Sequence, residues 1–141
     1  MSDPRTILAF DFGLRRIGVA VGQDVTGSAS PVGVVANRET GVDLAHIESL
    51  ISEWRPTGLV VGMPAHADGS PTDLQGHIES FITLLKSFGL PIDTVDERHT
   101  STEAERALKS ARAAGTRGRI SKEMIDSAAA VFIAERYLAS E

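Results

Sequence analysis

The chemistry available to this chain rests on oxygen and nitrogen, because its 141 residues contain no cysteine. Disulfides and thiolate metal sites are thereby excluded. Among the acids, position singles out a few. Asp11 interrupts the run Ile7-Leu8-Ala9-Phe10-Asp11-Phe12-Gly13 near the end of an otherwise apolar segment. A lone carboxylate buried there is costly unless it is paired or binds a cation; the alternative is a turn-opening Asp ahead of glycine. Asp96-Glu97-Arg98 closes a second apolar-rich segment; either acid could be a solvent-facing charge near a helix or pair with Arg98, and Asp96 could turn inward in place of Glu97. Asp126 sits in Ser121-Lys122-Glu123-Met124-Ile125-Asp126-Ser127-Ala128-Ala129-Ala130, whose small residues suit close packing, although an early helical Asp also complements the helix dipole. A cluster of Asp11, Glu97 and Asp126 would repel itself unless cations were bound. Oxygen-only ligation suits Mg²⁺ or Mn²⁺. Two such ions about 3.5–4 Å apart stabilise both the attacking and the leaving oxygen of a phosphodiester. That is nuclease chemistry.

The cations are unevenly spread. The net charge is −5, yet seven of the 14 Lys and Arg residues fall between Arg98 and Lys122, opposed there only by Glu103 and Glu105. Such a basic segment in an acidic chain fits a nucleic-acid backbone, and it also fits a solvated helix face. His46 and His77 fall within helical patterns; His66 and His99 fall in loops beside the proposed acids, within reach of substrate. The single Trp and single Tyr offer no aromatic platform for stacking bases.

These residues need elements to hold them. Ile7–Phe12 and Ile17–Gly22 read as a β-hairpin, Val32–Ala36 as a third strand after the turn-rich Thr26–Pro31. Leu44, Ile47, Leu50, Ile51 and Trp54 keep helical spacing between an Asp43 cap and Pro56. Leu59-Val60-Val61 reads as a strand buried on both faces, followed by the loop Gly62–Pro71. Leu74, Ile78, Phe81, Ile82 and Leu85 mark a second helix ending at Gly89, and Pro91–Val95 a fifth strand. Thr100-Ser101-Thr102-Glu103 opens a third helix ending near Gly115, and Ser121 caps a last helix running to about Leu138. The expectation is an α/β protein: a mixed five-stranded sheet, an antiparallel meander plus two parallel strands, flanked by helices. The three acids would meet at one end of that sheet.

One domain over residues 1–141 is expected from the length, and the hydrophobic fraction of 42% is ordinary for a globular chain. No apolar run approaches the roughly 20 residues of a membrane span, and the N-terminus lacks a signal-peptide core, so a cytoplasmic protein without a membrane partner is expected.

Four motifs occur in order: Asp11-Phe12-Gly13-Leu14-Arg15-Arg16-Ile17-Gly18-Val19-Ala20; Val60-Val61-Gly62-Met63-Pro64 with Asp68-Gly69-Ser70; Asp96-Glu97-Arg98 with Thr100-Ser101-Thr102; and Ile125-Asp126-Ser127-Ala128-Ala129-Ala130. With them the chain resembles, from about Ile7 to Leu138, the YqgF/RuvX family of small RNase H-like proteins, described as Holliday junction resolvases and as pre-16S rRNA nucleases. Arg15 replaces the usual Lys, His66 a common Asn, and His99 a larger apolar residue. The resemblance implies an RNase H-like fold, Asp11, Glu97 and Asp126 as catalytic metal ligands for Mg²⁺ or Mn²⁺, Arg15 as a nucleic-acid contact, and Arg16 and Arg98 as residues that hold phosphate oxygens or the acids themselves. It gives Arg112, Arg117, Arg119 and Lys122 a role in delivering the nucleic-acid backbone. The implied activity is endonucleolytic processing of the 5′ end of pre-16S rRNA. Resolution of branched DNA, or non-cleaving binding in transcription, are the alternatives, with a monomer or homodimer compatible with each.

Overall fold

Alternation along the first strand sends its side chains into two different cores. The computed structural model describes residues 5–64, 72–96 and 122–139, the side chains of residues 122–126 excepted. In chain order the elements are β1 (Thr6–Asp11), β2 (Arg16–Gln23), β3 (Ser28–Arg38), β4 (Gly41–Val42), α1 (Leu44–Trp54), β5 (Gly58–Met63), α2 (Gln75–Leu85), β6 (Ile92–Asp96) and α3 (Lys122–Ala139). The expected third helix, its Thr100–Glu103 cap and the Ser121 cap lie outside the described residues.

The sheet order is β4-β3-β2-β1-β5-β6. As the sequence predicts, β1, β2 and β3 form an antiparallel meander, while β5 joins β1 and β6 joins β5 in parallel. The strand count is corrected from five to six. The addition is β4, whose two residues pair with Asn37 and Arg38 at the end of β3 and are too few to show period-2 alternation. β3 also begins earlier than Val32. Ser28–Pro31 pair with β2, and the turn is confined to Asp24–Gly27, with Gly27 at φ 63°. Pro31 is tolerated because the ladder skips at that point: Val19 pairs with Gly33 and Ala20 with Pro31, while Gly33 adopts φ 146°, open to glycine.

Leu8 and Phe10 of β1 and Leu59 and Val61 of β5 pack with Ile47 and Leu50 of α1 and with Ile78, Phe81 and Leu85 of α2. Phe81 meets Phe10 edge-on at 5.6 Å between ring centroids. The opposite face, with Ile7, Ala9, Val60 and Val95, packs against Ile133 and Ala134 of α3. α1 starts where the Asp43 carboxylate accepts the His46 N–H at 3.1 Å, and ends with Arg55 in the left-handed region (φ 48°) ahead of Pro56. After α2 a 3₁₀ turn, Lys86–Phe88, closes on Gly89 at φ 74°.

Small residues on both sides set the height of α3. On β2 the residues facing α3 are Gly18, Ala20 and Gly22, opposite Asp11, Ala9 and Ile7 of β1. A Cβ added to Gly22 would approach Ile7, Leu138 and Ala134 to 3.1–3.3 Å, tighter than ordinary contact. Ala129, Ala130 and Ala134 are buried there. The close approach expected from the alanine run is present, and on the sheet side it needs Gly22 of β2.

Candidate functional site

Parallel pairing aligns the C-terminal ends of β1, β5 and β6: Phe10 lies beside Val61, and Met63 beside Asp96. That edge is where open α/β sheets bind ligands. Asp11, half-buried, ends β1 on the same face as Ile7 and Ala9, the face covered by α3. Its cross-strand partner is Gly18. Alternation places Arg16, two residues before Gly18, on this same face of β2, and both Asp11 and Arg16 interact within the protein.

α3 is aimed at this end of the sheet. Its C-terminal part lies at the start of β1, where Leu138 approaches Gly22. Its N-terminal part lies toward the end of β1, because the buried Ser127 hydroxyl donates to the carbonyl of Gly33 at 3.1 Å, and Gly33 pairs with Val19, next to Gly18. Asp126 immediately precedes Ser127, and its position stands three and four residues ahead of the buried Ala129 and Ala130 on the helix. Lys122 is the first residue of α3.

β6 distinguishes its two acids. Val95 belongs to the α3-side core and Asp93 accepts the Tyr137 hydroxyl of α3 at 2.7 Å, whereas Ile92 packs into the core of α1 and α2. By alternation Asp96 falls on the face of Ile92, opposite that of Asp11. Arg136 of α3 donates to the Asp96 backbone carbonyl, which fastens the end of β6 to α3. The hydrogen bond to Asp93, with burial adding to it, pushes the Tyr137 hydroxyl above the usual tyrosine range. Glu97, Arg98, Arg112, Arg117, Arg119, His66 and His99 lie outside the described residues. Among the described residues no three His, Asp or Glu side chains form a metal-binding group.

The β1–β2 hairpin carries Arg15, exposed, and Arg16, half-buried. It is held by a residue with no sequence signal beyond being a polar strand end: Asn37 donates its side-chain N–H to the Gly13 carbonyl at 2.8 Å and its backbone N–H to the Arg15 carbonyl at 3.0 Å. A Cβ at Gly13 would run into the Arg16 carbonyl oxygen, so the hairpin requires glycine there. Ser127 was likewise not singled out by the sequence; a lone hydroxyl on an alanine-lined stripe is its only sign.

The profile of the family described as "RuvX: Holliday junction resolvase" matches residues 5–140. The chain belongs to the RuvX family. A relative from Burkholderia lata, named "Putative pre-16S rRNA nuclease", is 45% identical over 94% of this chain and 88% of its own length. One of the same name from Azotobacter vinelandii is 42% identical over 99% of this chain and 96% of its own. Among solved structures, Thermus thermophilus RuvC in complex with a Holliday junction substrate superposes with a TM-score of 0.59 at 13% identity, covering 96% of this chain and 94% of that one. The RuvX chain therefore has the RNase H-like fold that its motifs imply. Among the described residues, no helix is long and apolar enough to cross a membrane.

Proposed function

We propose that this RuvX-family protein is a cytoplasmic, metal-dependent endonuclease of a single domain that hydrolyses phosphodiesters in structured nucleic acid and processes the 5′ end of pre-16S rRNA. The observation that carries the reading is the convergence of Asp11 and the N-terminal half of α3, which bears Asp126, at the ligand-binding edge of the sheet, in a chain whose relatives at 42–45% identity bear a nuclease's name. Asp11, Asp126 and Glu97 are assigned as the ligands of Mg²⁺ or Mn²⁺. The donor set fits such ions: all oxygen, with Asp11 beside a glycine. Two bound ions would supply charge stabilisation to the attacking and leaving oxygens of the phosphodiester. The chain's own part is to hold the carboxylates at fixed spacing, and to grip the backbone with Arg15 and Arg16 and with Arg98, Arg112, Arg117, Arg119 and Lys122. The T. thermophilus RuvC likeness favours branched DNA as a second substrate.

The test is to incubate the protein with a pre-16S rRNA 5′ fragment and with a four-way DNA junction, in Mg²⁺, Mn²⁺ or EDTA. Metal-dependent products are expected from the RNA, and their loss in Asp11→Asn and Asp126→Asn. Products from the junction alone would move the reading to a resolvase. Binding without cleavage under any metal would establish a non-cleaving module, and retained cleavage in both variants would overturn the site assignment.

A further inference from the structure

We propose that a groove on the far side of the β1–β2 hairpin receives one unpaired nucleotide of the substrate. This rests on the nucleic-acid reading above and adds a subsite to it. The groove, about 330 Å³, lies between the hairpin, α2 and the β3–β4 turn. That volume is at the lower end of small-molecule sites.

Its lining is unusual for this protein's surface. The described chain leaves three large apolar side chains exposed, and two of them, Leu14 (58%) and Leu84 (39%), line this one groove from different elements, with Phe12 and Phe81 of the core on the α1 and α2 side beneath. An extruded base is held in this manner, its flat faces against apolar side chains and its edges against polar groups. The polar groups are present at the rim. Asn37 commits its N–H to Gly13 and keeps its carbonyl oxygen as an acceptor. Glu39 can accept from an exocyclic amino group. Arg38 has no side-chain hydrogen bond or ion pair among the described residues, so its guanidinium is available to a phosphate.

Continuity supplies the occupant. Leu14 is flanked in sequence by Gly13 and Arg15, and the same hairpin follows directly on Asp11. A strand whose phosphates rest on Arg15 beside the acidic edge would present its neighbouring base to Leu14. Extrusion costs least for a base that is already unpaired, so the groove selects junctions, bulges and single-stranded ends over continuous duplex.

The test uses full-length Asp11→Asn protein, so that cleavage does not enter. Fluorescence anisotropy measures its affinity for an RNA duplex with one unpaired 2-aminopurine and for the fully paired duplex. A preference on the order of ten-fold for the unpaired nucleotide is expected, because a paired base must first be unstacked and unpaired to enter the groove. Leu14→Ser and Leu84→Ser, each at an exposed position, are each expected to shrink that preference several-fold. Equal affinity for both duplexes, or variants that keep the preference, would overturn the groove while leaving the nuclease reading in place. Absence of binding to either duplex would overturn both. Sedimentation of the parent as a dimer and of either variant as a monomer would make the groove a contact between copies and overturn its role toward nucleic acid.

Discussion

The Ser127 hydroxyl and the Gly33 carbonyl, 94 residues apart in sequence, are hydrogen-bonded at 3.1 Å. The bond seats the first half of α3 on the bulge of β3, one residue from Asp126. Ser127 is buried, so its removal leaves the Gly33 carbonyl without that donor. Ser127→Ala is expected to lower the unfolding free energy by about 1 kcal/mol in urea titrations. It is also expected to reduce cleavage with little change in substrate affinity, because the helix bearing Asp126 loses its anchor. Ser127→Thr, which keeps the hydroxyl, should recover both. Cleavage that stays at the parent level in the destabilised alanine variant would mean that the bond serves the fold alone.

At the other end of α3, Tyr137 donates to the Asp93 carboxylate at 2.7 Å. The bond raises the tyrosine pKa, so the folded state holds this proton more tightly than the unfolded chain does. Its contribution is therefore full below the unfolded-state value of about 10 and is lost as pH rises through the folded-state value. Both groups are partly open to solvent, which puts the cost of Tyr137→Phe at about 0.5 kcal/mol at pH 7. Thermal unfolding of parent and variant across pH 7 to 11 should show the two curves converging at the alkaline end. A gap that widened there would contradict the assigned direction.

Asp96 and Glu97 are neighbours in sequence and separate in expected role. Asp96 lies on the face of Ile92, with α1 and α2, away from Asp11. Asp96→Asn should keep metal-dependent cleavage within a few-fold of the parent, while Glu97→Gln should lose it with Asp11→Asn. Cleavage rates on the pre-rRNA fragment decide this, and the reverse pattern would exchange the two residues in the site.

What the sequence made legible follows from how local each signal is. The hairpin, the buried β5 and the three described helices come from short-range patterns: Asp43 as a cap, Pro56 as a stop, Gly89 as an end. Asp11 stood out because a charge inside Ile7–Phe12 breaks an apolar run. β4 was missed because Gly41–Val42 has no periodicity, and the early part of β3 because Ser28–Pro31 has turn composition and is held as strand by pairing to β2. Asn37 and Ser127 do their work across long stretches of chain, on Gly13 and Gly33, and nothing next to them announces the partner. The face on which Asp96 lies is set by how β6 packs between its two helical layers, which is tertiary information.

Arg15 offers the cleanest electrostatic test. It is exposed, and among the described residues its side chain makes no hydrogen bond or ion pair, so it contributes little to the fold. Arg15→Ala should leave stability within about 0.5 kcal/mol of the parent. If Arg15 holds one phosphate, its loss removes one released counterion, and the slope of log affinity against log salt should become shallower by about 0.9 on duplex or 0.7 on single strands. Arg16 differs: it is half-buried, opens β2 and interacts within the protein, so Arg16→Ala should lower stability as well as affinity. Filter binding across a salt series, set beside thermal melts, separates the two arginines. An Arg15→Ala slope equal to the parent's would remove the hairpin from the backbone contacts, and the substrate path would then have to avoid the Gly13–Arg16 turn.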